Sequence, residues 1–112
     1  MQIKNLDKNI EIIDYTSFFK RLKGLMFIKK PINKGIRFKK CSSIHTMFMY
    51  QKIDVIMTDK NNRIVKLYPH LAPWKIILPN RSIYYTYELP LNSINNLKIG
   101  EILYLTNTDS SV

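Results

Sequence analysis

Several polar side chains stand where this chain is otherwise apolar, and each is of a type that does chemistry. His45 lies within Ile44-His45-Thr46-Met47-Phe48-Met49, and Asp54 lies between Ile53 and Val55. Neutral imidazole offers one donor and one acceptor, so it can move a proton or orient a neighbour. A carboxylate among apolar neighbours must find partners, because an unpaired buried charge is strongly unfavourable. A tight turn near Met49-Tyr50 would set His45 opposite Asp54 on paired strands, whereas a turn nearer Gln51-Lys52 would not. A joined His45–Asp54 pair would suit acid–base work and would equally well brace a loop. Arg21 can grip a carboxylate or phosphate with two parallel hydrogen bonds, or neutralise Asp54 or Glu88. The candidate ligand-binding set is therefore Arg21, His45, Thr46, Asp54, Trp74 and Glu88, with His45 and Asp54 as the catalytic pair if there is catalysis.

Each of these residues also has an ordinary structural reading, which we prefer. His45 would bond to backbone at a strand end, Asp54 would fix local backbone, and Arg21 would form an ion pair. Glu88 would be a surface acid at a strand end, and Thr46 would bond to Asp54 or to backbone. Trp74 would anchor its loop to the core, and Phe48, Tyr68 and the methionines would fill it. The remaining histidine is His70 and the single cysteine is Cys41, a set without zinc-site spacing, so no metal is expected. Lysines precede Cys41, but no neighbouring histidine or acid supports a nucleophile there. The chain has no glycine-rich phosphate loop, nucleophile elbow or dinucleotide fingerprint, and no cofactor is expected.

The elements that must position these residues fit one domain over residues 1–112. Residues 1–13 read as two short extended pieces around Asp7-Lys8-Asn9. Asp14 or Thr16 can cap a short helix carrying Phe18, Phe19, Leu22 and Leu25 on one side, with Gly24 near its end. Beyond a loop over Lys29–Gly35, the pattern is mainly β. Asp54–Asp59 and Ile64–Tyr68 flank Lys60-Asn61-Asn62-Arg63 as a hairpin. Ser82–Leu89 alternates as a strand that Pro90 ends, Leu91–Leu97 reads as a helical turn, and Glu101–Thr106 as the last strand. The expected class is α+β: a β-rich, barrel-like domain of several coiled antiparallel sheets with one N-terminal helix.

Charge is the other prominent property. Eighteen basic residues against eight acidic ones give a formal net charge of +10. Such a surface attracts polyanions. Yet 14 of the 18 are lysine, spread along the chain, and base readout favours arginine. No helix-turn-helix, zinc-knuckle or RNA-recognition motif accompanies them, which argues against a dedicated nucleic-acid role. No apolar run is long enough to span a membrane as a helix. The first residues lack a signal-peptide pattern, and one cysteine suits a reducing compartment, so a cytoplasmic monomer is expected.

The His45-Thr46-x-x-Met49 run leading into Ile53-Asp54-Val55 resembles the domain-of-unknown-function 192 family. The resemblance extends to Arg21-Leu22-Lys23-Gly24-Leu25-Met26-Phe27 upstream, and to Pro73-Trp74 and Glu88-Leu89-Pro90 downstream. It implies a compact fold of strongly coiled sheets, relatives that are often secreted, and no established activity. Two departures stand out: no glycine follows shortly after Glu88-Leu89-Pro90, and Glu101 stands where relatives tend to have aspartate. Residues and resemblance together favour a non-enzymatic binding or accessory domain with a shallow polar site for an anionic small ligand or partner. The alternatives are a small enzyme using His45 and Asp54 with Arg21 as anion clamp, and an electrostatic nucleic-acid binder.

Overall fold

Runs of β-branched and aromatic residues, punctuated by Pro, Gly and Asn, give this chain short strands joined by many turns. The computed structural model describes residues 1–15 and 24–106. Among them the strands are β1 (Gln2–Ile3), β2 (Ile12–Asp14), β3 (Gly35–Lys39), β4 (Ile44–His45), β5 (Ile53–Thr58), β6 (Ile64–Leu71), β7 (Ile76–Ile77), β8 (Tyr85–Leu89) and β9 (Leu105–Thr106). Five form one mixed sheet in the order β2-β3-β8-β5-β6, while β1–β9 and β4–β7 make two antiparallel pairs.

β5 is the organising strand. It is buried at all six positions and lies between β6 and β8, so period-two alternation sends its side chains into two different cores. Ile56 packs with Tyr87, Leu89, Ile64, Ile94 and Leu103 on one face. Ile53, Val55 and Met57 pack with Ile36, Phe38, Leu25, Met49 and Ile83 on the other. Each such aliphatic side chain contributes about 1.5–3 kcal/mol on burial. Close packing also fixes Gly35, where a Cβ would come within 2.6 Å of both Ile12 Cδ1 and Leu89 Cδ2.

The hairpin expected around residues 60–63 is present, as are the two extended pieces before residue 15 and the strand ending at Leu89. The α+β expectation is overturned. Among the described residues the fold is all-β, with no helix and no closed barrel. The N-terminal helix expected from Phe18, Phe19 and Leu22 falls on residues 16–23, outside the described residues. Leu91–Leu97 forms successive turns instead of a helical turn, because Ser93 and Ile94 give their amides to Asp54. The sheets are also not uniformly antiparallel: β2 runs parallel to β3, with Ile12 beside Gly35. A parallel neighbour requires a crossover, which the chain between Asp14 and Gly35 supplies. The last strand shortens to Leu105–Thr106, since Ile102 makes only an isolated bridge to Arg63.

Candidate functional site

Asp54 is fully buried, and backbone amides take up both of its oxygens. Oδ1 accepts from His70 N at 2.9 Å, and Oδ2 accepts from Ser93 N at 2.7 Å and Ile94 N at 3.2 Å. The first bond repairs a bulge. Ile53 pairs Leu71 and Val55 pairs Tyr68, so Pro69 and His70 together face Asp54 and the His70 amide loses its ladder partner. The other two bonds close the turn after Pro90. Asp54 thus ties two irregular segments to the central strand.

Thr46 does the same work for the loop carrying Trp74. Its Oγ1 donates to Ala72 O at 2.7 Å and accepts from Lys75 N at 2.8 Å. Its own carbonyl accepts from Trp74 N at 2.9 Å, and its amide donates to Lys75 O at 2.8 Å. His45 is half-buried on β4, paired with Ile76, and its Nδ1 accepts from Met47 N at 3.2 Å. It is not set opposite Asp54, as a turn near Met49-Tyr50 would have done; Asp54 pairs with Leu89 on β8. No His45–Asp54 hydrogen bond exists among the described residues, so the acid–base pair is not assembled. Arg21 lies outside the described residues. Among the described residues no three His, Cys, Asp or Glu side chains cluster to hold a metal.

Glu88 corrects its ordinary reading. It is buried in the sheet centre, between Ile36 of β3 and Val55 of β5, and among the described residues its Oε1 has no hydrogen-bond partner. Desolvation pushes its carboxyl pKa up to about 8, so the neutral acid is the main form at pH 7. Gly24, at φ 52°, lies against it, and a Cβ there would be 3.5 Å from Oε1.

Trp74 was expected to anchor its loop in the core, yet it is 58% exposed. It ends a row of rings on the surface: Trp74 to Phe48 at 4.8 Å, Phe48 to Phe27 at 5.5 Å, and Phe27 to Tyr50 at 6.5 Å. Phe27, Phe48 and Trp74 all take left-handed backbone, with φ of 66°, 63° and 63°. That conformation costs about 1–3 kcal/mol for a residue with a side chain. Backbone bonds hold it, including Phe27 N to Phe48 O at 3.0 Å and Trp74 N to Thr46 O.

Lys29, 5.8 Å from the Tyr50 ring centroid, joins this row to a cleft of about 570 Å³. Lys8, Lys29 and Lys52 line it with Asn9, Asn33 and Gln51, over an apolar base that includes Ile10 and Ile32; no carboxylate among the described residues contributes. Gln51 shapes one wall: its amide donates to Ile28 O and Lys30 O, and its oxygen accepts from Ile32 N. Of the residues expected to bind ligand, none that is described (His45, Thr46, Asp54, Trp74 and Glu88) lines this cleft. The sequence does carry a signal for it, which side-chain patterning hid: residues 15–53 and 60–87 contain no Asp or Glu.

These features define a small all-β domain with a basic surface cleft, an exposed aromatic row and no assembled catalytic constellation among the described residues. The chain belongs to the DUF192 family, described as "Uncharacterized ACR", whose profile it matches over residues 1–103. It is 37% identical over 103 residues to a UPF0127 protein of Pyrococcus horikoshii, with 85% of each chain covered. A Pyrococcus furiosus UPF0127 protein is 33% identical over 104 residues, covering 86% of this chain and 85% of its own. A Novosphingobium aromaticivorans protein of unknown function superposes with a TM-score of 0.67 at 16% identity, covering 87% of this chain and 74% of that one. A Sinorhizobium meliloti chain, assigned provisionally as a transcription regulator, gives 0.67 at 18% identity, covering 85% and 79%. At those identities the likeness establishes the fold alone.

Proposed function

We propose that this chain is a non-enzymatic binding domain whose ligand is a small anion seated in the cleft beside Lys8, Lys29 and Lys52. The observation that carries the reading is the lining itself: three lysines, two asparagines and, among the described residues, no carboxylate above an apolar floor. Lysine ammonium groups attract phosphate or carboxylate as point charges, and the Asn9 and Asn33 amides add direction. Ile10, Ile32, Pro31 and Leu91 offer contact to an apolar ligand body, as in most small-molecule sites. The catalytic alternative lacks support, because Asp54 is bonded to backbone and His45 to the Met47 amide.

Calorimetric titration with inorganic phosphate and with succinate tests the reading. We expect saturable binding that weakens about 10-fold in Lys52→Glu and in Lys8→Glu, since one close charge contact is worth roughly that factor. No heat from either anion, or affinities unchanged in both variants, removes the proposal.

A further inference from the structure

We propose that the face carrying Tyr50, Phe27, Phe48, Trp74, Ile76 and Leu78 docks on the surface of an anionic lipid bilayer. This inference does not rest on anion binding in the cleft, although Lys29 lies between the two sites, and four observations carry it. The patch is apolar and outward: Ile76 is 65% and Leu78 76% exposed, while Ile77 between them turns in against the core. Alternation therefore places Ile76 and Leu78 on one side, a few residues from Trp74. Second, the rings lean on one another at 60°, 33° and 53°, and the exposed apolar set also includes the aliphatic Ile76 and Leu78, which add nothing to stacking of nucleic-acid bases.

Third, the charge around the patch has one sign. Lys29 lies over the Tyr50 ring, Lys75 stands between Trp74 and Ile76 in the chain, and the segments supplying the patch, within 15–53 and 60–87, carry no acid. A symmetric contact between two copies would set lysine against lysine with no carboxylate between them. Anionic headgroups are complementary to that arrangement. Fourth, four backbone polar groups of the Trp74 loop are satisfied from within. Thr46 bonds Ala72 O, Trp74 N, Lys75 N and Lys75 O. A loop with paired amides and carbonyls can enter the headgroup region without stranding them. In this pose Ile76 and Leu78 reach the acyl boundary, the rings lie at headgroup level, and the lysines face lipid phosphates.

The chain's single tryptophan is Trp74, so its emission reports contact directly. The full chain is titrated with vesicles of phosphatidylcholine alone and of phosphatidylcholine mixed with phosphatidylglycerol, and fluorescence and co-sedimentation are recorded. Mixed vesicles are expected to shift the emission to the blue and to carry the protein down; neutral vesicles are not. Ile76→Ser with Leu78→Ser is expected to lower the partition by about 10-fold or more. Lys75→Glu lowers it by at least about 5-fold. Tyr104→Ser, exposed on a separate segment, leaves it unchanged. No shift with mixed vesicles overturns the proposal, as does an equal shift with neutral ones. It is also overturned if single-stranded oligothymidylate gives the same shift and the Ile76/Leu78 variant binds vesicles as the parent does. Lipid-free self-association that Ile76→Ser abolishes would assign the face to a second copy instead.

Discussion

Asp54 and Glu88 are both buried carboxylates on neighbouring central strands, one register step apart, on opposite faces of the same sheet. Asp54 pairs with Leu89 and Glu88 with Val55, so each looks into a different core. Three backbone amides meet Asp54, whereas no donor among the described residues meets Glu88 Oε1. The difference comes from what lies alongside. A bulge and a turn bring unpaired N–H groups to Asp54, while Glu88 looks toward Gly24 and Phe38. Burial alone therefore does not decide whether a carboxyl finds partners; the donors that irregular backbone delivers to it do.

The same isosteric substitution should act in opposite directions at the two positions. Asp54→Asn sets an NH2 group against backbone donors, and urea unfolding is expected to show a loss of about 2–4 kcal/mol. A loss under about 1 kcal/mol would mean the amides find other acceptors and the contrast fails. Glu88→Gln should do the reverse in alkaline solution. The Glu88 carboxyl has a pKa near 8 folded against 4.5 in the free side chain. The folded state thus holds the proton more tightly, and the stability from this group is full below pH 4.5. It falls as pH rises from 4.5 to 8 and stays low above that. Glu88→Gln should remove that slope, gaining on the order of a few kcal/mol at pH 9 and little at pH 4. Parallel stability curves for parent and variant across this range would show that Glu88 is paired.

Smaller effects sharpen the contrast between buried polar groups that organise backbone and surface residues that do not. Thr46→Val keeps the shape but strands Lys75 N and Ala72 O, at about 1–3 kcal/mol. It should also alter Trp74 emission, because Thr46 holds that loop; unchanged stability and emission together would assign the loop's order elsewhere. Leu78→Ser is expected to move stability by no more than about 0.5 kcal/mol, since the side chain already faces water. A larger loss in thermal unfolding would mean that the exposed patch is packed in solution.

Much of the β architecture was legible. Lys60-Asn61-Asn62-Arg63 marks a hairpin because apolar runs flank a polar turn, and β5 and β6 meet there. Asp54 declared itself as a carboxylate in need of partners, though nothing in Ile53-Asp54-Val55 names His70, Ser93 and Ile94 as those partners. Whether His45 meets Asp54 stayed open in the sequence, and the pairing of β4 with β7, not with β5, decides against it. Trp74 and Phe48 read as core residues by type, yet left-handed backbone turns both outward. Lys8, Lys29 and Lys52 looked like scattered surface charge, since 8, 29 and 52 share no periodic face.

What the sequence determined by itself is local: strand periodicity, turn chemistry, the acid-free basic segments and the presence of polar groups inside apolar runs. Each depends on residues near one another along the chain, where side-chain type and backbone preference act directly. Strand order, the fates of Asp54 and Glu88, and the meeting of three lysines in one cleft were decided only by tertiary structure. Those outcomes depend on which distant backbone segments pack together, and a donor supplied from 39 residues away leaves no mark beside the acceptor.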